Sequence, residues 1–352
     1  MSHIRLQVSP LSNEKIQWDL IVKKISERFP ELNTTELSVK QFTAGYSNLT
    51  YLLSFPDKEM VLRRPPFGYI PPKAHDMERE FRILTKIHPY FPLAPEPFLY
   101  VDDPVVTDKH FYIMEKKVGI VLDDEIPSDI QDEQNFGLKA STALIDTLVQ
   151  LHHIDINKSN LIELGKPEGY LKRQIEGWMK RYQSSKVDEH PQVEPLMRWL
   201  SEQIPTSPAA TVVHNDMKLN NMMLSRDDLS KAVAVFDWEL CSIGDPLSDL
   251  AGSIAYWTEP GDKETGLTSV THLEGFLSRA ELIEQYAKKT GRDVSNIDYY
   301  LTFAFFKIAV ILQQIYYRFK NGEIEDDRFS HLNIGIENLI NQAIKAKNHQ
   351  LL

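Results

Sequence analysis

Val213-His214-Asn215-Asp216-Met217-Lys218-Leu219-Asn220-Asn221 is the stretch from which the fold of this chain is read. An apolar run, Thr211 to Val213, leads into it, and a second, Ala232 to Phe236, follows and ends at Asp237. Short apolar runs on either side of polar residues read as strands flanking a loop. Asn221 stands five positions after Asp216. Phosphoryl transfer needs residues of this kind: a carboxylate to orient the acceptor hydroxyl and take its proton, and oxygen ligands for the Mg²⁺ that neutralises triphosphate charge. Mg²⁺ keeps several of its waters, so one Asn and one Asp suffice. A strand–loop–strand hairpin would present Asp216, Asn221 and Asp237 at one mouth. A lone His-x-Asp would otherwise read as a solvated turn.

Outward from this loop the chain divides. Before it, Ile16 to Phe29 carries apolar residues at helical spacing and stops at Pro30. Leu37 to Phe42, Leu49 to Phe55 and Glu59 to Arg64 read as strands, separated by the turns Ala44-Gly45-Tyr46-Ser47-Asn48 and Pro56-Asp57-Lys58. A Pro/Gly-rich loop, Pro65 to Pro72, precedes a helical pattern from Ala74 to Ile87, and Phe111 to Glu115 is a further strand. Beyond Gly119 the pattern turns helical: Phe136 to His152, segments within 155–205, and most of the chain after Leu273. The expected fold class is α+β, with a small antiparallel sheet lobe over 1–115 and a larger, mainly helical lobe over 116–352. No internal repeat and no low-complexity tract is present.

The loop matches the kinase pattern His-x-Asp-x-Lys-x-x-Asn. Together with Val235-Phe236-Asp237-Trp238-Glu239-Leu240 and Gly244-Asp245-Pro246-Leu247-Ser248-Asp249-Leu250 it resembles the aminoglycoside phosphotransferase family. The resemblance is greatest to the branch related to the N-terminal kinase-like domains of certain acyl-CoA dehydrogenases, and covers roughly residues 30 to 330. It implies a bilobal, protein-kinase-like fold and ATP-dependent phosphorylation of a small-molecule hydroxyl. By position in the motif, Asp216 resembles the catalytic base, Asn221 and Asp237 the metal ligands, and Lys218 the lysine that neutralises the transferring phosphate. His214 is expected to hold the loop and Asp249 to brace it from a following helix.

The nucleotide is expected in the N-terminal lobe. Backbone that approaches phosphate closely needs glycine or small residues, and Thr43 to Asn48 occupies the place of such a loop. The family often carries Gly-Gly-x-Ser-Asn; here Ala44 replaces the first glycine and leaves Gly45, Ser47 and Asn48. A hairpin turn is the alternative reading. A cation on the third strand must meet the phosphates and pair with a Glu on the next helix. Arg63 takes that position where most kinases have lysine, and Arg and Lys are not equivalent; it either contacts phosphate or is an exposed strand-end charge. Glu80 is the expected partner, favoured over Glu78 by its spacing from Phe81 and Leu84. Met114 to Lys117 follows a strand as a hinge, so Glu115 is placed at the adenine by position alone.

The acceptor side is less legible. Gly169 to Tyr182 mixes cations and aromatics, and Arg173, Trp178 and Arg181 either line an anion pocket or belong to an amphipathic helix with Trp178 in the core. Tyr256 and Trp257 either reach the cleft or pack in the core. His152-His153 reads as a capping and packing pair, and Cys241 as a small buried residue. The leading function is a small-molecule kinase acting on a hydroxy acid, a hydroxyacyl-CoA or an aminoglycoside-like compound, with ATP and Mg²⁺. A catalytically inactive nucleotide- or metabolite-binding pseudokinase is the alternative, motivated by Arg63 and the thinned glycine loop. A protein kinase is disfavoured because Trp238-Glu239 replaces the rest of Asp-Phe-Gly and no Ala-Pro-Glu follows.

Composition sets the outer limits. The 352 residues are 42% hydrophobic and 25% charged, which is ordinary for a globular chain. With 39 basic and 50 acidic residues the net charge is −11. Such a balance disfavours phosphate-backbone binding to nucleic acid and a polybasic membrane anchor. One cysteine forms no internal disulfide and excludes a Cys-based zinc cluster. The N-terminus shows no signal-peptide core. Leu301 to Leu312, interrupted by Lys307, falls short of the roughly 20 apolar residues of a spanning helix. A cytoplasmic location is expected.

Overall fold

The computed structural model describes residues 5–8, 16–42, 48–66, 76–131, 133–267 and 269–352. It separates into two compact units, Met1–Val118 with Ala234–Glu239, and Gly119–Val233 with Leu240–Leu352. Asp237 therefore lies in the same unit as Arg63 and Glu80, whereas a division at residue 115 places it with the helical part.

In the first unit the described elements are β1 (Arg5–Val8), α1 (Trp18–Arg28), β2 (Glu36–Gln41), β3 (Leu49–Ser54), β4 (Glu59–Arg64), α2 (Met77–Ile87), β5 (Pro97–Val101) and β6 (Phe111–Glu115). They form a sheet in the order β1-β2-β3-β4-β6-β5. β2 to β6 run antiparallel, four of them strands expected from the sequence, and β1, which the sequence reading passes over, joins β2 in parallel. β5, which the sequence reading also passes over, begins with a proline. Its position at the sheet edge explains why that is tolerated, since an edge strand loses no central ladder bond to the missing N–H. Alternation sets the core: Leu37 and Val39 of β2 and Tyr51 and Leu53 of β3 point inward, against Trp18, Ile21, Val22 and Ile25 of α1. α2 starts at Asp76, whose side chain accepts the Arg79 backbone N–H at 2.9 Å. Its buried face carries Met77, Ile83, Leu84 and Ile87, and with them Glu80.

The second unit contains α3 (Phe136–His152), α4 (Tyr170–Ser184), α5 (Val193–Glu202), β7 (Thr211–Val213), β8 (Met222–Leu224), β9 (Ala232–Val235), β10 (Ser242–Gly244), α6 (Pro246–Ala255), α7 (Arg279–Thr290), α8 (Ile297–Lys320) and α9 (Leu332–Lys347). The last two residues of β9 belong to the first unit. The expected hairpin between the two strands flanking the loop is not formed. β7 pairs antiparallel with β10, and β8 is ordered with β9. A strand of three residues has too little local sequence to specify its partner, so the surrounding helices decide it.

α8 is 24 residues long, not the 12-residue apolar run visible in the sequence, and is long and apolar enough to cross a membrane by length and composition alone. In the fold 78% of its most apolar window is buried. It packs against α4, α6 and α9. A helix apolar on nearly all sides fits a central position of this kind.

Candidate active site

The polar loop after β7 is held through its backbone. Asp249, on the first turn of α6, is 1% exposed and accepts the His214 N–H at 2.8 Å and the Asn215 N–H at 2.6 Å. α6 begins there because Asp245 caps it, accepting the Leu247 N–H at 2.9 Å, with Pro246 in the first turn. His152, at the end of α3, lies at 3.1 Å from Asp249 Oδ2 and 2.7 Å from the Tyr286 hydroxyl. Burial alone would raise the Asp249 pKa. The hydrogen bond from His152, with His214 close by, brings it below the usual carboxylate range. Asp249 thus braces the loop as expected, while His152 is more than a helix-end packing residue.

Asn215 is in the left-handed region with φ 69°, a conformation that Asn tolerates better than most residues. Each of its polar atoms is occupied. Its N–H goes to Asp249 and its side-chain N–H to the Leu240 carbonyl at 2.9 Å. Its Oδ1 accepts from the Tyr170 hydroxyl at 2.6 Å, and its backbone carbonyl accepts from Lys307 Nζ at 3.1 Å. Tyr170 reaches this position over Gly244, where a Cβ would lie 2.6 Å from the phenol ring. Asp216 follows at once, its N–H directed at His214 Nδ1 at 3.3 Å.

Asp216, Lys218 and Asn221 are brought together. Asn221 Nδ2 donates to the backbone carbonyl of Asp216 at 2.9 Å and to its Oδ2 at 2.8 Å, and Lys218 Nζ lies 3.2 Å from the same oxygen. Lys218 sits 4.6 Å above the Tyr256 ring. Tyr256 is half-buried beside Lys218, and burial first, then the Asp216 charge, raise its phenol pKa well above its ordinary value. Burial lowers the pKa of Lys307. Lys307 also approaches the Trp178 ring at 5.7 Å, and Arg181 stacks on that ring at 4.6 Å. Trp178 is half-buried between two cations. Arg173 is not part of this group: its guanidinium donates to the carbonyls of Lys166 and Glu168 and ties the entry of α4 to the preceding loop. Cys241 is buried.

In the first unit Arg63 joins two carboxylates. It is at the end of β4, paired in register with Thr50 and Tyr112. Its Nη1 lies 3.4 Å from Glu80 Oε1 and its Nη2 3.0 Å from Asp237 Oδ1. Its side chain is 12% exposed, which excludes a solvated strand-end charge. Burial would lower the Arg63 pKa; Glu80 and Asp237 raise it overall. Burial keeps the Glu80 pKa above the usual value, and Arg63 opposes that shift. Glu78 is exposed, so the helix offers Glu80 to Arg63. Asp237 has φ 64°, a second left-handed non-glycine residue. The guanidinium of Arg79 donates to the Glu239 carbonyl and holds the segment after Asp237.

Glu115, placed at the adenine by sequence, donates its N–H to the Glu96 carbonyl at 2.8 Å, and its carboxylate accepts the Glu96 N–H at 3.1 Å while pairing with Lys117. Asn48 is buried at the start of β3. Gly45 and Ser47 lie outside the described residues.

The profile of the phosphotransferase enzyme family matches residues 38–287. The chain belongs to that family. Human acyl-CoA dehydrogenase family member 11 is 33% identical over 303 residues, which is 85% of this chain and 38% of that protein. The chain spans 29–40% of the length of the curated relatives it matches. A Ralstonia eutropha structure provisionally described as an aminoglycoside phosphotransferase is 28% identical with TM-score 0.77, over 94% of this chain and 98% of that one. Aminoglycoside phosphotransferase APH(4)-Ia, as a thermostable mutant in ternary complex with ADP and hygromycin B, shares the fold at 14% identity and TM-score 0.57, over 92% and 98% of the two chains. The bilobal, kinase-like α+β fold class expected from the sequence is that of these phosphotransferases. Within this phosphotransferase, sequence reasoning missed Lys307 and the bracing role of His152. A lysine in an otherwise apolar helical run is the one signal that pointed to either.

Proposed function

We propose that this chain is an ATP- and Mg²⁺-dependent phosphotransferase that phosphorylates a hydroxyl of a small anionic molecule, such as a hydroxy acid or its acyl thioester. The observation that carries the reading is Asp216, fixed by a fully bonded backbone at Asn215 and flanked by Lys218 and Asn221. Asp216 takes the proton of the acceptor hydroxyl as that oxygen attacks the terminal phosphorus of ATP, giving a phosphate monoester and ADP. Lys218 offsets charge on the transferring group. Arg63, held by Glu80, meets the phosphates in place of the usual lysine.

By their place in the motif Asp237 and Asn221 would hold Mg²⁺, and each by itself carries the hard oxygen donor that this ion prefers. Asp237 offers a carboxylate and Asn221 an amide oxygen, and both bonds of Asn221 to Asp216 use its nitrogen. Among the described residues no group of three or more His, Cys, Asp or Glu could hold a metal, and Mg²⁺ does not need one because phosphates and waters complete its shell. When bound, the ion neutralises phosphate charge and polarises the phosphoryl group.

Lys218 pairs with Asp216, and Lys307 lies close to Asp216, Lys218 and Arg181; this cluster of cations supports an anionic acceptor over an aminoglycoside polycation. The bound nucleotide of APH(4)-Ia supports ATP as donor. The test is ADP release from Mg·ATP across hydroxy acids, their CoA thioesters, amino alcohols, sugars and aminoglycosides. Acceptor-dependent release is expected, with Asp216→Ala lowering kcat by about 10²–10⁴-fold and leaving ATP affinity within a few-fold. Undiminished turnover in that variant removes Asp216 as the base. ATP binding without turnover on any acceptor replaces the kinase by the nucleotide-binding pseudokinase.

A further inference from the structure

Arg181 on α4 and Lys307 on α8 lie against one ring. The Arg181 guanidinium is 4.6 Å and the Lys307 ammonium 5.7 Å from the centroid of Trp178. Lys307 also donates at 3.1 Å to the Asn215 carbonyl, which belongs to the peptide leading into Asp216. This pair of cations therefore begins one peptide from the base. Trp178, Lys307 and Asp216 are half-buried and Arg181 is exposed, so each keeps surface open to solvent.

The donors of the pair outnumber their acceptors. An ammonium carries three N–H groups and a guanidinium five. Among the described residues Lys307 donates to the Asn215 carbonyl alone, and Arg181 stacks on Trp178 without pairing to a carboxylate. Two carboxylates act on Lys307, those of Asp216 and Asp249. Both are already answered, Asp216 by Lys218 at 3.2 Å and Asp249 by His152 and two backbone N–H groups. Burial lowers the Lys307 pKa, and Lys218 and Arg181 lower it further against those carboxylates. Cations gathered at a half-buried place repel one another more strongly than in water. An anion set between them removes that repulsion and takes up the spare N–H groups in charge-assisted hydrogen bonds.

We propose that Arg181 and Lys307 form a subsite for an oxyanion of the acceptor, with the Trp178 ring as its wall and the acceptor hydroxyl directed to Asp216. The assignment to the acceptor rests on the phosphotransferase reading; the oxyanion binding does not. A free carboxylate and the phosphates of a CoA thioester share this chemistry.

The chain has five tryptophans, so 5-fluorotryptophan labelling of the full chain gives a short fluorine NMR spectrum, in which Trp178→Phe identifies the Trp178 resonance. 3-Hydroxybutyrate, its neutral amide 3-hydroxybutyramide and 3-hydroxybutyryl-CoA are titrated with no nucleotide present. The acid is expected to shift the Trp178 resonance saturably and to bind about tenfold or more tightly than the amide. A saturable shift with the thioester alone would instead assign the subsite to its phosphates. Arg181→Met, an exposed replacement, should weaken binding of the anion about tenfold, and Arg181→Lys should restore part of it. No saturable shift with either anion, equal binding of acid and amide, or an Arg181→Met protein that binds the anion as the wild type does overturns the proposal. In the ADP-release assay Arg181→Met should raise the KM of the anionic acceptor about tenfold while the ATP KM is unchanged. An unchanged acceptor KM overturns the acceptor assignment, and a raised ATP KM gives the pair to the nucleotide instead. Saturable anion binding by a protein that never releases ADP would overturn the phosphotransferase reading and leave the oxyanion site standing.

Discussion

The loop around Asp216 and the cluster around Arg63 hold their functional groups by opposite means. In the second unit the support reaches the backbone. Asp249, Tyr170, Lys307 and the Leu240 carbonyl occupy the polar atoms of Asn215, and Asp216 is positioned through the peptide that precedes it. In the first unit the functional side chains support each other, because Arg63 is itself the link between Glu80 and Asp237. A group whose backbone is fixed in this way keeps its own place when its charge changes during a reaction, although its side-chain partners still feel the change. A group fixed by ion pairing cannot, since removing one charge leaves its partners buried and unneutralised.

The largest contrast is expected at Arg63. Arg63→Met leaves Glu80, 2% exposed at its side chain, without its cation. A loss of about 3–5 kcal/mol is expected in urea unfolding, the cost of breaking a buried pair from one side. The double variant Arg63→Met/Glu80→Leu should recover much of it. A double variant no better than the single one would break the view that mutual neutralisation holds this cluster.

A smaller effect is expected at Asp249, and it depends on pH. The folded protein holds this carboxyl below its ordinary range. The unfolded chain protonates it near pH ~3.9. Its contribution is therefore complete above that value and is lost as pH falls towards the lower folded pKa. Asp249→Asn should cost about 2–3 kcal/mol at neutral pH, from hydrogen bonds to a charged group. The gap between the two proteins should narrow below about pH 4. A gap constant with pH in urea titrations from pH 3 to 7 would show that the charge is not what braces the loop.

The smallest effect sharpens the comparison. Tyr170→Phe removes one neutral hydrogen bond to the Asn215 side chain and keeps the ring over Gly244. About 1 kcal/mol of stability should be lost, and kcat should fall while the ATP KM holds, because the loss reaches Asp216 only through Asn215. A changed ATP KM with an unchanged kcat would place Tyr170 outside the support of the base.

Much of this was legible in the sequence. β4 and β6 fall on the residues their patterns indicate, and α3 does too. The spacing that favoured Glu80 over Glu78 is a helix-face argument, and the structure puts Glu80 inside and Glu78 outside. What escaped were residues whose partners are remote. Lys307 looked like an interruption of an apolar run, yet its carbonyl partner is 92 positions away. Arg173 looked like a pocket cation and instead binds carbonyls five and seven residues back, which a helical-face reading does not reveal. The strand pairs β7–β10 and β8–β9 were likewise closed to local pattern.

The sequence by itself determined the alternation that buries one side of β2 and β3, the cap at Asp245 and the order of the motif residues Asp216, Asn221 and Asp237. Each depends on side-chain period or turn chemistry within a few residues. Only the tertiary structure decided that Arg63 bridges two carboxylates and that Asn215 is bonded at every polar atom. Those outcomes depend on which distant groups are buried together. Burial is what makes an ion pair obligatory and an unpaired oxygen costly, and no local stretch of sequence records it.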